Sequence, residues 1–143
     1  MKERQNIGKG RLMVGDWVYS PWSEGHGIPV RVDSLLGSGA TAWRVGEESG
    51  LASKVYPVPL TPEIFEKNGF VDESTDTIGV WSLFHIDEEE PLKRWSVTVS
   101  FYTRWIIIVH NEMENRHYTG AAGAVHELQQ AMRICGIPKD IVL

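Results

Sequence analysis

The segment RWSVTVSFY, residues 94–102, constrains the fold more than any other stretch of this chain. Trp95, Val97, Val99 and Phe101 alternate with Ser96, Thr98, Ser100 and Tyr102. Successive side chains of a strand point to opposite faces, so this order predicts an antiparallel sheet with one buried and one wet face. The flanking segments agree. TIGVWSLFHI, residues 77–86, and RWIIIVH, residues 104–110, are rich in aromatic and β-branched residues and read as strands. The acidic run DEEEPLK turns the chain between the first two, and NEMENR, residues 111–116, reads as a turn after the last. The expectation is an antiparallel β-meander over residues 77–110.

Ahead of the meander stands a short helix with both ends written out, within PVPLTPEIFEKNGF, residues 57–70. Thr61 can cap an orphan backbone N–H, and Pro62 sits at the first helical position, where its missing N–H costs nothing. Leu60 and Phe65 occupy the two positions of a hydrophobic staple. Gly69 can take the left-handed conformation that closes the last turn, and Phe70 falls where a Schellman motif makes its apolar contact. These signals predict a helix over residues 61–68, with Ile64, Phe65 and Phe70 directed into the core. A helix this short does not persist on propensity, so it is expected to act as a clip held by its caps and packing.

The remaining organisation follows. Residues 1–10 read as a flexible lead-in. Residues 11–56 read as a bent β region, a small partial barrel. It is built from RLMVGDWVYS, IPVRVDSLL, TAWRV and ASKVYPV, with GEESG turning the chain between the last two. The chain ends in a helix predicted over residues 120–135 with Thr119 as its N-cap. Val125, Leu128, Met132 and Cys135 form its apolar stripe, while His126, Glu127, Gln130 and Arg133 lie off it. Gly136, Ile137 and Pro138 supply the stop. The fold class is therefore α+β, one domain over 1–143 in which the C-terminal helix packs on the sheet.

Composition narrows the function. Apolar residues make up 42% and charged residues 23% of the 143, a globular balance. The net charge of −5 and the scatter of 14 Lys and Arg argue against a phosphate-tracking surface, so no specific nucleic-acid partner is expected. A lone cysteine, Cys135, excludes an intrachain disulfide and fits a reducing, cytoplasmic setting. The polar start MKERQNIGKGR lacks the apolar core of a signal peptide. The longest apolar run, WIIIV at 105–109, is too short to span a bilayer, so no membrane partner is expected.

The motifs that could carry chemistry are few. GSGATA, residues 37–42, fits a loose dinucleotide fingerprint, but strand-like sequence follows where a helix is required, so it reads as a β-turn. His110 and His117 flank Glu112 and Glu114, yet no third and fourth ligands converge at zinc spacing, and neither a metal nor a cofactor is expected. VHELQ departs from H-E-x-x-H because position 130 is Gln, leaving His126 to act as a cap or to hydrogen-bond a neighbouring strand. Cys135 belongs to an apolar helix face and reads as a buried small hydrophobe. No G-x-S-x-G or Walker loop is present. One loop, SEGHG at 23–27, is placed to bind, with Gly on both sides of His26 and Trp17, Tyr19 and Trp22 nearby. Together with Trp43 these residues form the candidate aromatic binding face.

Two landmarks, Pro57 to Phe70 and Val125 to Gln129, coincide after the VGDWVY and IPVRVDSL strands. In this combination the chain resembles a group of small proteins from genomes and prophage-like elements of gut Bacteroidetes. Members share a PIPLT-type approach to a short helix ending in GF, and a VHxLQ-type C-terminal helix. The resemblance implies shape and origin and carries no catalytic motif. The expected function is that of a non-enzymatic accessory or interaction protein of a phage or mobile element, with a protein partner or a second copy as its target. The alternative is a small-molecule or peptide-binding module using the aromatic face.

Overall fold

The computed structural model describes residues 13, 15–19, 29–35, 41–45, 48–52, 56–86, 88–90, 93–121 and 123–143. The chain divides into two compact units, one from residues 1–59 and 124–126, the other from 60–123 and 127–143. The lead-in at residues 1–10 lies outside the described residues.

The first unit carries β1 (Trp17–Tyr19), β2 (Pro29–Leu35), β3 (Thr41–Val45), β4 (Glu48–Ala52) and β5 (Tyr56–Pro57). They form one antiparallel sheet in the order β4-β3-β2-β1-β5, an open sheet whose edge strands are β4 and β5. A register shift between Val32 and Ser34 interrupts the β2–β3 ladder, as at a bulge that bends a strand. Val18 and Val32 are its buried apolar side chains among those described. Two boundaries differ from the sequence reading. Of the strand expected over RLMVGDWVYS, the described part is Trp17–Tyr19; Met13, Gly15 and Asp16 stand outside it, because the N–H of Asp16 turns back onto the carbonyl of Met13 at 3.1 Å and its carboxylate accepts the Met13 N–H at 2.8 Å. The turn read over GEESG is shorter, since Glu48 already pairs with Val45. Residues 41 and 42 of the GSGATA segment open strand β3, so no helix N-terminus stands there to meet a pyrophosphate. The last strand leads into an isolated bridge between Pro59 and Ala124, flanked by a 2.8 Å bond from the Val125 N–H to the Val58 carbonyl.

The second unit holds α1 (Pro62–Lys67), β6 (Val71–Asp72), β7 (Gly79–Ile86), β8 (Arg94–Phe101), β9 (Trp105–Asn111) and β10 (Arg116–Ala121). The final helix, α2 (Val125–Ile134), starts in residues grouped with the first unit and runs through this one. The sheet is antiparallel throughout, in the order β10-β9-β8-β7-β6. The alternation along β8 sorts as expected, with Val97 and Val99 fully buried and Ser96, Thr98 and Ser100 on the other face. Phe101 departs from it. The strand runs out at that position, and its ring is exposed beside Trp105, with centroids 5.0 Å apart.

Helix α1 is capped as read. Thr61 is its N-cap, and the Schellman closure is complete, with the Phe70 N–H on the Phe65 carbonyl at 2.9 Å and the Gly69 N–H on that of Glu66 at 3.1 Å. Gly69 supplies the required positive φ of 82°. Phe65 is fully buried at the centre of an aromatic cluster, 5.4 Å from the Trp81 ring, 5.3 Å from Phe70 and 5.5 Å from Trp105. Ile64, expected in the core, is only half-buried. Asn68, at the C-cap, is buried and ties the chain end to the helix. Its amide donates to the carbonyls of Ile64 and Val142, and its oxygen accepts the Val142 N–H, each at 2.8 Å.

The C-terminal part corrects the expected helix over 120–135. Thr119 and Gly120 belong to β10, paired with Ile108 and Ile107, and α2 begins at Val125. A run of Thr, Gly and Ala suits a helix start locally, but pairing to the isoleucines of β9 claims it for the sheet. The Glu127 carboxylate accepts the Gly123 N–H at 3.1 Å, so capping begins there. The apolar stripe of Val125, Leu128, Met132 and Cys135 is buried as read, but the buried face is wider and takes in His126 and Gln129. The helix end is fixed by Asn111, whose buried amide donates to the Cys135 carbonyl at 2.7 Å. Among the described residues no helix is long and apolar enough to cross a membrane.

Candidate binding groove on the meander sheet

The sequence-predicted aromatic face is only partly described. Trp22 and His26 lie outside the described residues. Trp17 and Tyr19 stand two apart on β1, hence on one face, and both are half-buried. Trp43 pairs with Val32, a register position one step away from the Trp17–Arg31–Arg44 row. The Arg31 guanidinium already covers the Trp17 ring, 4.8 Å from its centroid, while its Nε donates to the Gly15 carbonyl at 3.2 Å.

A better-formed site lies in the second unit, where the ends of β7, β8 and β9 meet. It is a groove of about 310 Å³. Strand β7 contributes Phe84, His85 and Ile86, and β8 contributes Arg94, Trp95 and Ser96. His110 closes it from β9, and Glu112 from the turn that follows. The register explains the assembly. Phe84 is opposite Ser96 and Ser96 opposite His110, so these three share the outer face of the sheet. Phe84 is 63% exposed and Ile86 53%, large apolar side chains side by side on that face. His85 and Trp95, also cross-strand partners, stack at 5.8 Å.

One ion pair organises the polar rim. Arg94 Nε donates to Glu112 Oε2 at 2.6 Å, and the Glu112 N–H extends the ladder to the Arg94 carbonyl at 3.0 Å. The Arg94 hydrogen bond holds the Glu112 carboxyl below its ordinary value against a smaller opposing effect of desolvation, and the charges of Arg94 and His110 add to the lowering. The same hydrogen bond raises Arg94. Glu112 is thus a fixed carboxylate and a poor proton carrier.

Ser96, His110 and Glu112 invite comparison with a nucleophile, a base and an orienting acid. The geometry does not assemble one. His110 Nε2 is 3.9 Å from Glu112 Oε1, whose partner oxygen is taken by Arg94. Strand β8 is paired along both sides, so its backbone N–H groups are committed to the ladders and none is aimed at a developing oxyanion. His110 and His117 are cross-strand neighbours with ring centroids 6.3 Å apart. Glu114 pairs with Arg116 at 3.5 Å. Among the described residues no three His, Cys, Asp or Glu side chains stand together where they could hold a metal ion. His126 is buried in the first turn of α2. Burial pushes the Cys135 thiol up, with Arg116 opposing, so it is a poor thiolate.

The groove was not visible in the sequence. Its signal was the even-numbered series of β7, Phe84 and Ile86, which puts apolar residues on the face that β8 marks as wet.

The fold and groove together define an α+β protein with an amphipathic surface at one end of an open meander. Searches of protein-family models, curated proteins and solved structures find no match to the chain.

Proposed function

We propose that this protein is a non-enzymatic interaction module that holds a protein partner at the open end of its meander sheet. The observation that carries the reading is the adjacent exposure of Phe84 and Ile86, at 63% and 53%, beside the groove. Exposed large apolar side chains gathered at a concavity with a polar rim are the usual composition of a docking surface. The fixed Arg94–Glu112 pair gives that rim a set geometry without a group poised for proton transfer. The resemblance to Bacteroidetes prophage-type proteins supports an accessory role in a mobile element. The reading built on Trp17 and Tyr19 has weaker support, because Arg31 occupies the Trp17 ring face that a cationic ligand would use.

The test is a peptide-display selection on the immobilised protein, with a Phe84→Ser, Ile86→Ser double variant as comparison. Binders that lose roughly tenfold or more in affinity for the variant, a difference of about 1.4 kcal/mol, are expected. Binders that hold both proteins equally, or a selection that enriches nothing, would reject the reading.

A further inference from the structure

We infer that the free half of β7, Leu83–Ile86, takes an extended, lysine- or arginine-bearing segment of the partner as an added strand. This rests on the interaction reading above and gives it a chemistry.

The backbone comes first. Strand β6 pairs with β7 only through Val71↔Ser82 and Asp72↔Trp81, and the Glu73 N–H adds a bond to the Val80 carbonyl at 2.8 Å. Val80 therefore directs its backbone groups away from β8. By the alternation of an antiparallel ladder, Ser82, Phe84 and Ile86 do the same. Ser82 meets Val71, but past it no described strand lies beside β7. Phe84 and Ile86 thus present two outward N–H and C=O pairs, a template for strand addition. The same two residues carry the exposed apolar side chains of the groove, so an added strand would lay alternate side chains against them.

The charges choose the occupant. Exposed Glu88, Glu89 and Glu90 lie just past one end of this edge, and exposed Asp72 and Glu73 past the other. Against them stand Lys93, bridged to Glu90 at 2.6 Å, and Arg94, held by Glu112. An acidic surround selects a basic strand. It also disfavours a second copy of this chain, which would bring the same carboxylates to the same edge. The opposite edge of the sheet, β10, is longer, but its outward-facing positions His117, Thr119 and Ala121 offer no large apolar anchor.

The experiment uses the full chain, labelled with nitrogen-15, and a capped peptide of sequence lysine, valine, threonine, valine, threonine, lysine. Two further copies are N-methylated, one on the valines and one on the threonines, and a fourth has glutamate in place of both lysines. A docked strand turns only one of its edges to the protein. One N-methylated copy should therefore lose binding by about tenfold or more, while the other binds like the parent. The Phe84 and Ile86 amides should become protected from exchange with water on binding the parent. The glutamate peptide should bind far more weakly at low salt. Ile86→Pro, which deletes an outward N–H and spares the β8 ladder, should weaken binding beyond Ile86→Ala in proteins of equal melting temperature.

Equal binding of both N-methylated copies, unprotected Phe84 and Ile86 amides, or no binding of the parent at millimolar peptide would overturn the strand inference. Equal binding of the glutamate peptide would overturn its basic character. A dimer in gel filtration that Ile86→Pro abolishes would assign the edge to a second copy and overturn it too. Display-selected binders that need the Phe84 and Ile86 side chains but tolerate N-methylation would leave the interaction module standing and remove only the strand.

Discussion

Phe65 is the residue on which the second unit turns. It is fully buried and meets the rings of Phe70, Trp81 and Trp105, which come from three separate elements or their ends. Truncation would leave a cavity between stiff aromatic walls that collapse poorly. Phe65→Ala is expected to cost about 3–5 kcal/mol in urea unfolding, and a loss under about 1 kcal/mol would show that the ring is not a core group. At the surface, Arg94 governs the titration of Glu112. The folded carboxyl titrates below its ordinary value, so its contribution to stability is present above the unfolded value and fades as the pH falls through the folded one. Arg94→Met should move the Glu112 carbon-13 carboxyl titration upward toward the ordinary range. Added salt should shrink the difference, because the pair is exposed. An unchanged titration in the variant would mean that the pair does not persist in solution.

At the scale of elements, both helices end by the same device. Gly69 and Gly136 have φ of 82° and 72°, and Phe70 and Ile137 return their N–H groups to Phe65 and Met132, each at 2.9 Å. A side chain at Gly69 would meet only ordinary contact with Leu83, 3.8 Å away, so the penalty there is one of backbone conformation. Gly69→Ala is expected to destabilise by roughly 1–2 kcal/mol. Gly123 is the control, since its φ is not positive and nothing lies within 4 Å of an added Cβ. Gly123→Ala should change stability by no more than about 0.5 kcal/mol. Thermal unfolding of both variants makes the comparison, and equal effects would refute the capping argument. The boundary between β10 and α2 shows where element-level reading failed. Thr119 is a sound N-cap by type, but it is two residues into a strand-forming run that includes His117 and Tyr118, and the N-cap signal outweighed it.

For the whole molecule, the charge distribution is the most general guide. A net charge of −5, with Glu127 opposing Arg133 on the last helix, gives no basic stripe for a duplex. Fluorescence anisotropy with a random duplex pool at near-physiological salt is expected to show no sub-micromolar binding, both for the full chain and after deletion of residues 1–10. Tight binding that survives the salt and the deletion would mean that a folded surface reads DNA. The same acidity, concentrated around the β7 edge, makes a basic protein segment the better-matched partner.

The features legible in the sequence were those that a few neighbouring residues decide. The β8 alternation, the caps of α1 and the Gly136 stop depend on backbone preferences and side-chain spacing within one turn or one strand, and they recur in the structure with little change. What tertiary structure alone decided involves residues far apart in the chain. Arg94 and Glu112 are 18 positions apart and meet because β8 and β9 pair in one particular register. Asn68 and Val142 are 74 apart. The open edge at Leu83–Ile86 exists because β6 begins only at Val71, opposite Ser82, where the chain has just left the closing turn of α1, and nothing within β7 announces it. Local sequence determines which elements can form and where they can end. Register and strand order determine which side chains share a face, and the groove is a product of those.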